Sequence, residues 1–188
     1  MSAEKVLVPL AEGFEETEAV AIVDVLRRAG LDVVTASLGD RSVRGAHGIV
    51  VEADRRLAEV DGGGITALVL PGGLPGTTNL RDDPRVIELA QRLAGEGRLT
   101  AAVCAAPQVL AAAGLLDGGV EFTCYPGAAA ELEGLTPVEG RRVVRSGSVI
   151  TSQGPGTAIE FALEVVAALA GESKAAEVGE AMLVRGGS

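Results

Sequence analysis

Short apolar runs alternate with amphipathic segments along most of the chain. Residues 5–10 (KVLVPL) are apolar almost throughout and predict a buried strand. Residues 17–29 have helical composition and end against Gly30, a residue suited to stopping a helix. The β-branched residues 32–38 predict a second strand, and residues 41–51, with two strand-like pieces around Gly45 and Gly48, a small hairpin or excursion. Residues 67–70 (ALVL) form another buried strand that runs into Pro71-Gly72-Gly73. A helix with proline at its start follows over 84–94, then a strand over 99–103 and a helix over 107–116. Beyond them come a short strand over 120–123, a hairpin over 141–150 around Ser146-Gly147, and a strong helix over 155–170. Residues 172–183 supply one more helix. This alternation predicts an α/β fold, a mostly parallel sheet with helices on both faces. No repeat, low-complexity tract or linker interrupts it, so the expected organisation is a single domain over 1–188.

Composition narrows the functional classes. The 188 residues are 47% hydrophobic and 22% charged, in the range of globular proteins. Sixteen Lys and Arg stand against 26 Asp and Glu, a net charge of −10, with no basic cluster to neutralise phosphates. Nucleic acid and anionic membrane surfaces are therefore not expected partners. No apolar run approaches the ~18 residues of a membrane span, and residues 1–5 lack a signal-peptide layout, so a cytoplasmic protein is expected. Aromatic residues make up only 2%, too few for base-stacking platforms or aromatic cages. Two cysteines cannot build a disulfide framework, and with one histidine any zinc site would have to borrow carboxylates; neither a metal nor another cofactor is expected.

In a parallel sheet, ligands gather beyond the carboxyl ends of the strands. Four segments there carry unusual residues: 11–18 (AEGFEETE), 71–76 (PGGLPG), 104–107 (CAAP) and 151–157 (TSQGPGT). Cys104 falls at a strand-to-helix junction, where the turn lifts a side chain above the sheet and helix N–H groups favour a thiolate. A buried cysteine in an alanine-rich core would read the same way. On a helix, Glu18 shares a stripe with Ile22, Val25 and Ala29, which would desolvate its carboxyl; spacing alone favours a water-facing Glu in the first turn. Glu15 and Glu16 read as complements to the helix dipole. Gly72-Gly73 lacks the spacing of a nucleotide loop, and G-x-S-x-G is absent. The specific use of these glycines would be an oxyanion hole near Cys104.

Taken together, 11–18 (AEGFEETE), 23–30 (VDVLRRAG), 70–73 (LPGG), 102–107 (AVCAAP) and 151–162 (TSQGPGTAIEFA) resemble the DJ-1/ThiJ/PfpI superfamily, in its DJ-1 branch. The motifs occur in family order over roughly residues 5–170. The resemblance implies a flavodoxin-like α/β sandwich, usually a homodimer. It implies Cys104 as the nucleophile, Glu18 as the protonated acid hydrogen-bonded to it, and the Gly73 and Ala105 N–H groups around the sulfur or an oxyanion. Gly72, Tyr125, Arg28 and His47 are accessory candidates. Arg28 matches an arginine near the family's dimer interface and site, and His47 stands where relatives often carry another arginine. Two departures matter. Tyr125 occupies the position where human-like members carry histidine, which removes the base of a PfpI-type protease. Gln153 replaces a common arginine.

Two functions fit these residues. One is a cofactor-independent glyoxalase or deglycase, in which Cys104 adds to a small reactive carbonyl such as methylglyoxal or glyoxal, Glu18 moves a proton, and a 2-hydroxy acid is released. The other is a redox-responsive protective protein or chaperone whose Cys104 is oxidised to sulfinate. Cys124 is a candidate resolving thiol or an inert buried one.

Overall fold

The computed structural model describes residues 5–184; residues 1–4 and 185–188, the ends of the expected domain, lie outside them. In chain order the elements are β1 (Lys5–Leu10), α1 (Glu16–Arg28), β2 (Asp32–Ser37), β3 (Ser42–Arg44), β4 (Val50–Glu52), β5 (Arg55–Arg56), β6 (Ala67–Leu70) and α2 (Gly76–Arg81). They continue as α3 (Pro84–Gly95), β7 (Leu99–Val103), α4 (Pro107–Ala112), β8 (Val143–Ser146), β9 (Val149–Ser152), α5 (Ala158–Ala170) and α6 (Glu172–Ala181). Seven strands form one sheet in the order β5-β2-β1-β6-β7-β9-β8, parallel except for the β8–β9 hairpin at one edge. Strands β3 and β4 pair antiparallel as the separate hairpin expected from 41–51.

The continuous apolar runs follow from burial on both sheet faces. Successive side chains point to opposite faces. Val6, Val8 and Leu10 of β1, with Val69 of β6 and Val103 of β7, pack against α1, α5 and α6. Leu7, Leu68, Leu70 and Ala102 point the other way, into a second core with α3, α4 and Phe122. Together the two cores cover the sheet with apolar side chains and leave the carboxyl ends of its strands open.

Several boundaries differ from expectation. Residues 120–123 form no strand: Phe122 plugs the second core at 2% exposure, and the segment is tied by single bonds, Thr123 N to Thr151 Oγ1 (2.8 Å) and Val138 N to Phe122 O (2.7 Å). The helix expected over 107–116 stops at Ala112, where Gly114 turns the chain out with φ 74°. Helix α2 was not legible because Gly76, Thr77 and Thr78 are weak helix formers.

Candidate active site

Register explains why the two inner strand ends meet. Strands β6 and β7 pair in parallel with Leu70 beside Ala102, so two residues further on Gly72 lies beside Cys104. A Cβ on Gly72 would stand 2.6 Å from Cys104 Cβ and 2.8 Å from Glu18 Oε2, a space that only glycine leaves open. Gly73 has φ 91°, and a Cβ there would meet the backbone of residues 13–15. The Gly72 carbonyl accepts the Glu15 N–H at 2.8 Å, which ties this loop to the start of α1.

Cys104 adopts φ 64°; among the described non-glycine residues only Leu183 shares a positive φ. The left-handed conformation costs about 1–2 kcal/mol and turns the side chain out of the strand. Three bonds hold it: Cys104 N–H donates to Ser152 O (3.0 Å), Tyr125 N–H donates to Cys104 O (2.8 Å), and Ala106 N–H closes the turn on Val103 O (3.0 Å). The Ala105 and Gly73 N–H groups reach the sulfur.

Glu18 is fully buried rather than facing water. Its Oε2 accepts the Gly72 N–H at 2.7 Å, and its carboxyl is a hydrogen-bond neighbour of the Cys104 thiol. Oε1 has no hydrogen-bond partner, a costly arrangement for a carboxylate but suited to one that carries a proton. Burial raises its pKa to about 7, against the Gly72 and Cys104 hydrogen bonds, which lower it.

The expectation that the turn alone favours a thiolate is corrected here. Burial and the adjacent Glu18 carboxylate push the Cys104 thiol up to about 12, and the Ala105 and Gly73 N–H groups offset this only in part. Helix α4, six residues long, is too short to contribute the expected dipole. The physical unit is the pair, whose two groups titrate together. Its first proton leaves near neutrality and its second only at high pH, when two buried negative charges would abut. The single charge rests on Glu18 and passes to sulfur only as Glu18 takes the thiol proton.

An open cavity of about 570 Å³ leads to Cys104, with Glu18 buried behind it. Cys104, Gly73, Ala105, Tyr125 and His47 line it, so the structure brings most of the sequence-derived candidates together. Arg28 is not among them: at the last turn of α1 it pairs with Asp24 at 2.7 Å, away from the site at the helix start. Cys124, 3% exposed, and Gln153 line a different cavity.

Some participants were missed. Glu16 does more than complement a dipole: it is 4% exposed and accepts the backbone N–H of His47 (2.7 Å) and of Ile49 (3.2 Å). Its other oxygen lies 3.0 Å from His47 Nδ1. Burial opposes ionisation, but these hydrogen bonds outweigh it and lower the Glu16 pKa to about 2. Arg81 and Gln108 also line the cavity; neither segment carried a recognisable motif. The His47 ring and the Glu15 and Glu16 carboxylates lie together, their nitrogen and oxygen atoms all within 4.8 Å of one another.

Comparison with known proteins places this geometry. Residues 4–168 match the DJ-1/PfpI family. The chain is 41% identical over 180 residues to Protein dj-1beta of Drosophila melanogaster, covering 95% of this chain and 96% of that protein. It is 38% identical over 178 residues to the glutathione-independent glyoxalase DJR-1.2 of Caenorhabditis elegans, covering 93% and 94%. It spans 42% of the length of DJ-1 homolog B of Arabidopsis thaliana, to which it is 39% identical over 98% of its own length. The crystal structure of Drosophila melanogaster DJ-1beta superposes with a TM-score of 0.93 at 40% identity, covering 98% of this chain and 100% of that one. Oxidised DJ-1 of Toxoplasma gondii gives 0.91 at 38% identity, covering 96% and 98%. With its flavodoxin-like sheet and its cysteine turn, the chain belongs to the DJ-1/PfpI family, in its DJ-1 branch.

Proposed function

We propose that the protein converts small 1,2-dicarbonyls such as methylglyoxal to 2-hydroxy acids without glutathione. The observation that carries this reading is the fully buried Glu18, with a pKa of about 7, against a cysteine on a strained turn. An acid that titrates near the working pH can both give and take a proton, as an isomerisation requires. Cys104 adds to the aldehyde carbon, and the Gly73 and Ala105 N–H groups face the sulfur side of the adduct. Glu18 then transfers the carbon-bound proton from C1 to C2, which turns the hemithioacetal into a thioester. Water cleaves the thioester to the hydroxy acid and the free thiol. The glutathione-independent glyoxalase among the relatives supports the reading. The test is incubation of the purified protein with methylglyoxal alone. Stoichiometric lactate is expected, and disappearance of methylglyoxal without lactate would reduce the reaction to scavenging.

A second reading is favoured by the same N–H groups, which suit the oxygens of an oxidised sulfur, and by the similar structure of oxidised DJ-1 from Toxoplasma gondii. In it Cys104 becomes a sulfinate hydrogen-bonded by Glu18, and the output is protective binding. We also propose self-association through α1 and the β3–β4 hairpin, where Val20, Ile49 and Val50 are 54%, 58% and 48% exposed.

A further inference from the structure

Isomerising a hemithioacetal needs two acid–base groups. One moves the proton on carbon; the other must protonate the C2 oxygen as the enediol forms and remove the O1 proton as the thioester forms. Glu18, packed behind Cys104 and hydrogen-bonded through Oε2 to Gly72, is placed for the carbon proton. We infer that His47, oriented by Glu16 on the wall of the Cys104 cavity, is the second group and acts on the substrate oxygens. The inference rests on the carbonyl-conversion reading above.

The orientation follows from the hydrogen bonds. Glu16 is ionised and can only accept, so the nitrogen facing it at 3.0 Å, Nδ1, must carry a hydrogen. The same carboxylate grips the His47 backbone N–H at 2.7 Å, so one buried group fixes both the main chain and the ring. A Cβ on Gly45 would overlap the Glu16 carboxyl, so the loop closes over that group only with glycine there. Nε2 remains as the nitrogen able to exchange a proton, on a side chain that is 70% exposed and lines the cavity with Cys104. A buried carboxylate fixing the tautomer of a half-free imidazole is the arrangement by which hydrolase triads prepare their base.

The proton inventory closes. Glu18 takes the thiol proton as sulfur bonds to C1, and returns it to O1 to complete the hemithioacetal. The Glu18 carboxylate then removes the C1 proton, the electron pair moves to form the C1–C2 double bond, and His47 imidazolium protonates the C2 oxygen. Glu18 delivers its proton to C2 while His47 takes the O1 proton, which leaves a thioester with both groups as they began. Water then supplies OH to the acyl carbon and a proton to the departing thiolate. No oxidant or reductant is required.

The groups that face His47 are Glu16 and Glu15 of the α1 start, with Arg81 and Glu131 elsewhere on the cavity wall. The Glu16 hydrogen bond, then the charges of Glu15 and Glu16, favour the imidazolium. An alkaline limb in the kcat–pH profile should therefore report His47. In His47→Gln that limb is expected to vanish and kcat to fall ~10²-fold while KM changes little. In Glu16→Gln the limb should move to lower pH, and free imidazole should restore part of the rate of His47→Ala. A merely structural His47 would give neither the moved limb nor the rescue. If wild type produces lactate and Cys104→Ser does not, while His47→Gln keeps its rate and limb, the inference fails and the carbonyl reading stands. If wild type produces no lactate, both fail.

Discussion

Replacing Cys104 by serine is expected to remove lactate production to the background level, a loss on the order of 10⁴-fold or more. The size follows from the acid behind the nucleophile. With a pKa of about 7, Glu18 can take the Cys104 proton, pushed up to about 12, as sulfur bonds to carbon, but a serine hydroxyl buried in the same place is a far weaker acid still. The Gly73 and Ala105 N–H groups cannot repair that mismatch, since they face an atom that stays protonated. The turn itself should survive, because the backbone bonds to Ser152 O and from Tyr125 N–H do not involve the side chain. Circular dichroism unchanged from wild type, with lactate release at the rate of buffer, is the expected pair of results. The same variant should show no gain of two oxygens at residue 104 under mild peroxide, while wild type gains them there before Cys124, which is buried at 3% exposure.

Glu18→Gln has the second-largest expected effect, and it acts in opposite directions on rate and stability. Glutamine can keep the Gly72 hydrogen bond but cannot carry a proton between carbons, so turnover is expected to fall by 10²-fold or more, roughly the contribution of general acid–base catalysis. Stability should rise. The folded-state pKa of Glu18 lies near 7 against 4.5 for the free group, so between those values the native protein holds a proton that the unfolded chain releases. Wild-type stability is thus favoured below pH 4.5 and declines as pH rises toward 7, after which the penalty is constant. The whole shift corresponds to roughly 3 kcal/mol. Glutamine has no such term. Melting points of the two proteins should converge near pH 4.5 and separate by roughly 6–12 °C at pH 8, with the variant higher. A constant difference across that range would mean that Glu18 is not buried as a titrating acid.

Much of the fold was legible because sheet burial leaves a pattern. Strands covered on both faces must be largely apolar, and β6 is throughout, with only Lys5 departing in β1 and Thr100 in β7. Cys104 was legible as a position, since a strand running into CAAP marks a turn. The state of its thiol was not, because that depends on how much water the fold removes and on a carboxyl 86 residues away in sequence. Glu18 was half legible: its stripe could be seen, but only the approach of Gly72 to the helix start excludes water from it. Glu16 was misread for the same reason. Its burial is produced by the 45–49 loop folding over it, a contact no local pattern encodes. Helix α2, with Arg81, was lost to glycine and threonine. Residues 120–123 looked like a strand because Phe122 must be buried, yet a side chain can be buried without a ladder.

The central claim is that Glu18 and Cys104 share one proton near neutral pH, held on sulfur until Glu18 takes it as the nucleophile attacks. Thiolate absorbance against pH, corrected with Cys104→Ser, tests it directly in wild type and Glu18→Gln. In wild type the Cys104 thiolate signal should rise only far above neutrality, because burial and the ionised Glu18 both oppose it. In the variant it should move to lower pH, because the carboxylate charge and hydrogen bond that oppose the thiolate are gone, while burial alone still holds it above a free cysteine. Superimposable titrations in the two proteins, with Cys104 ionising like a free cysteine, would contradict the account.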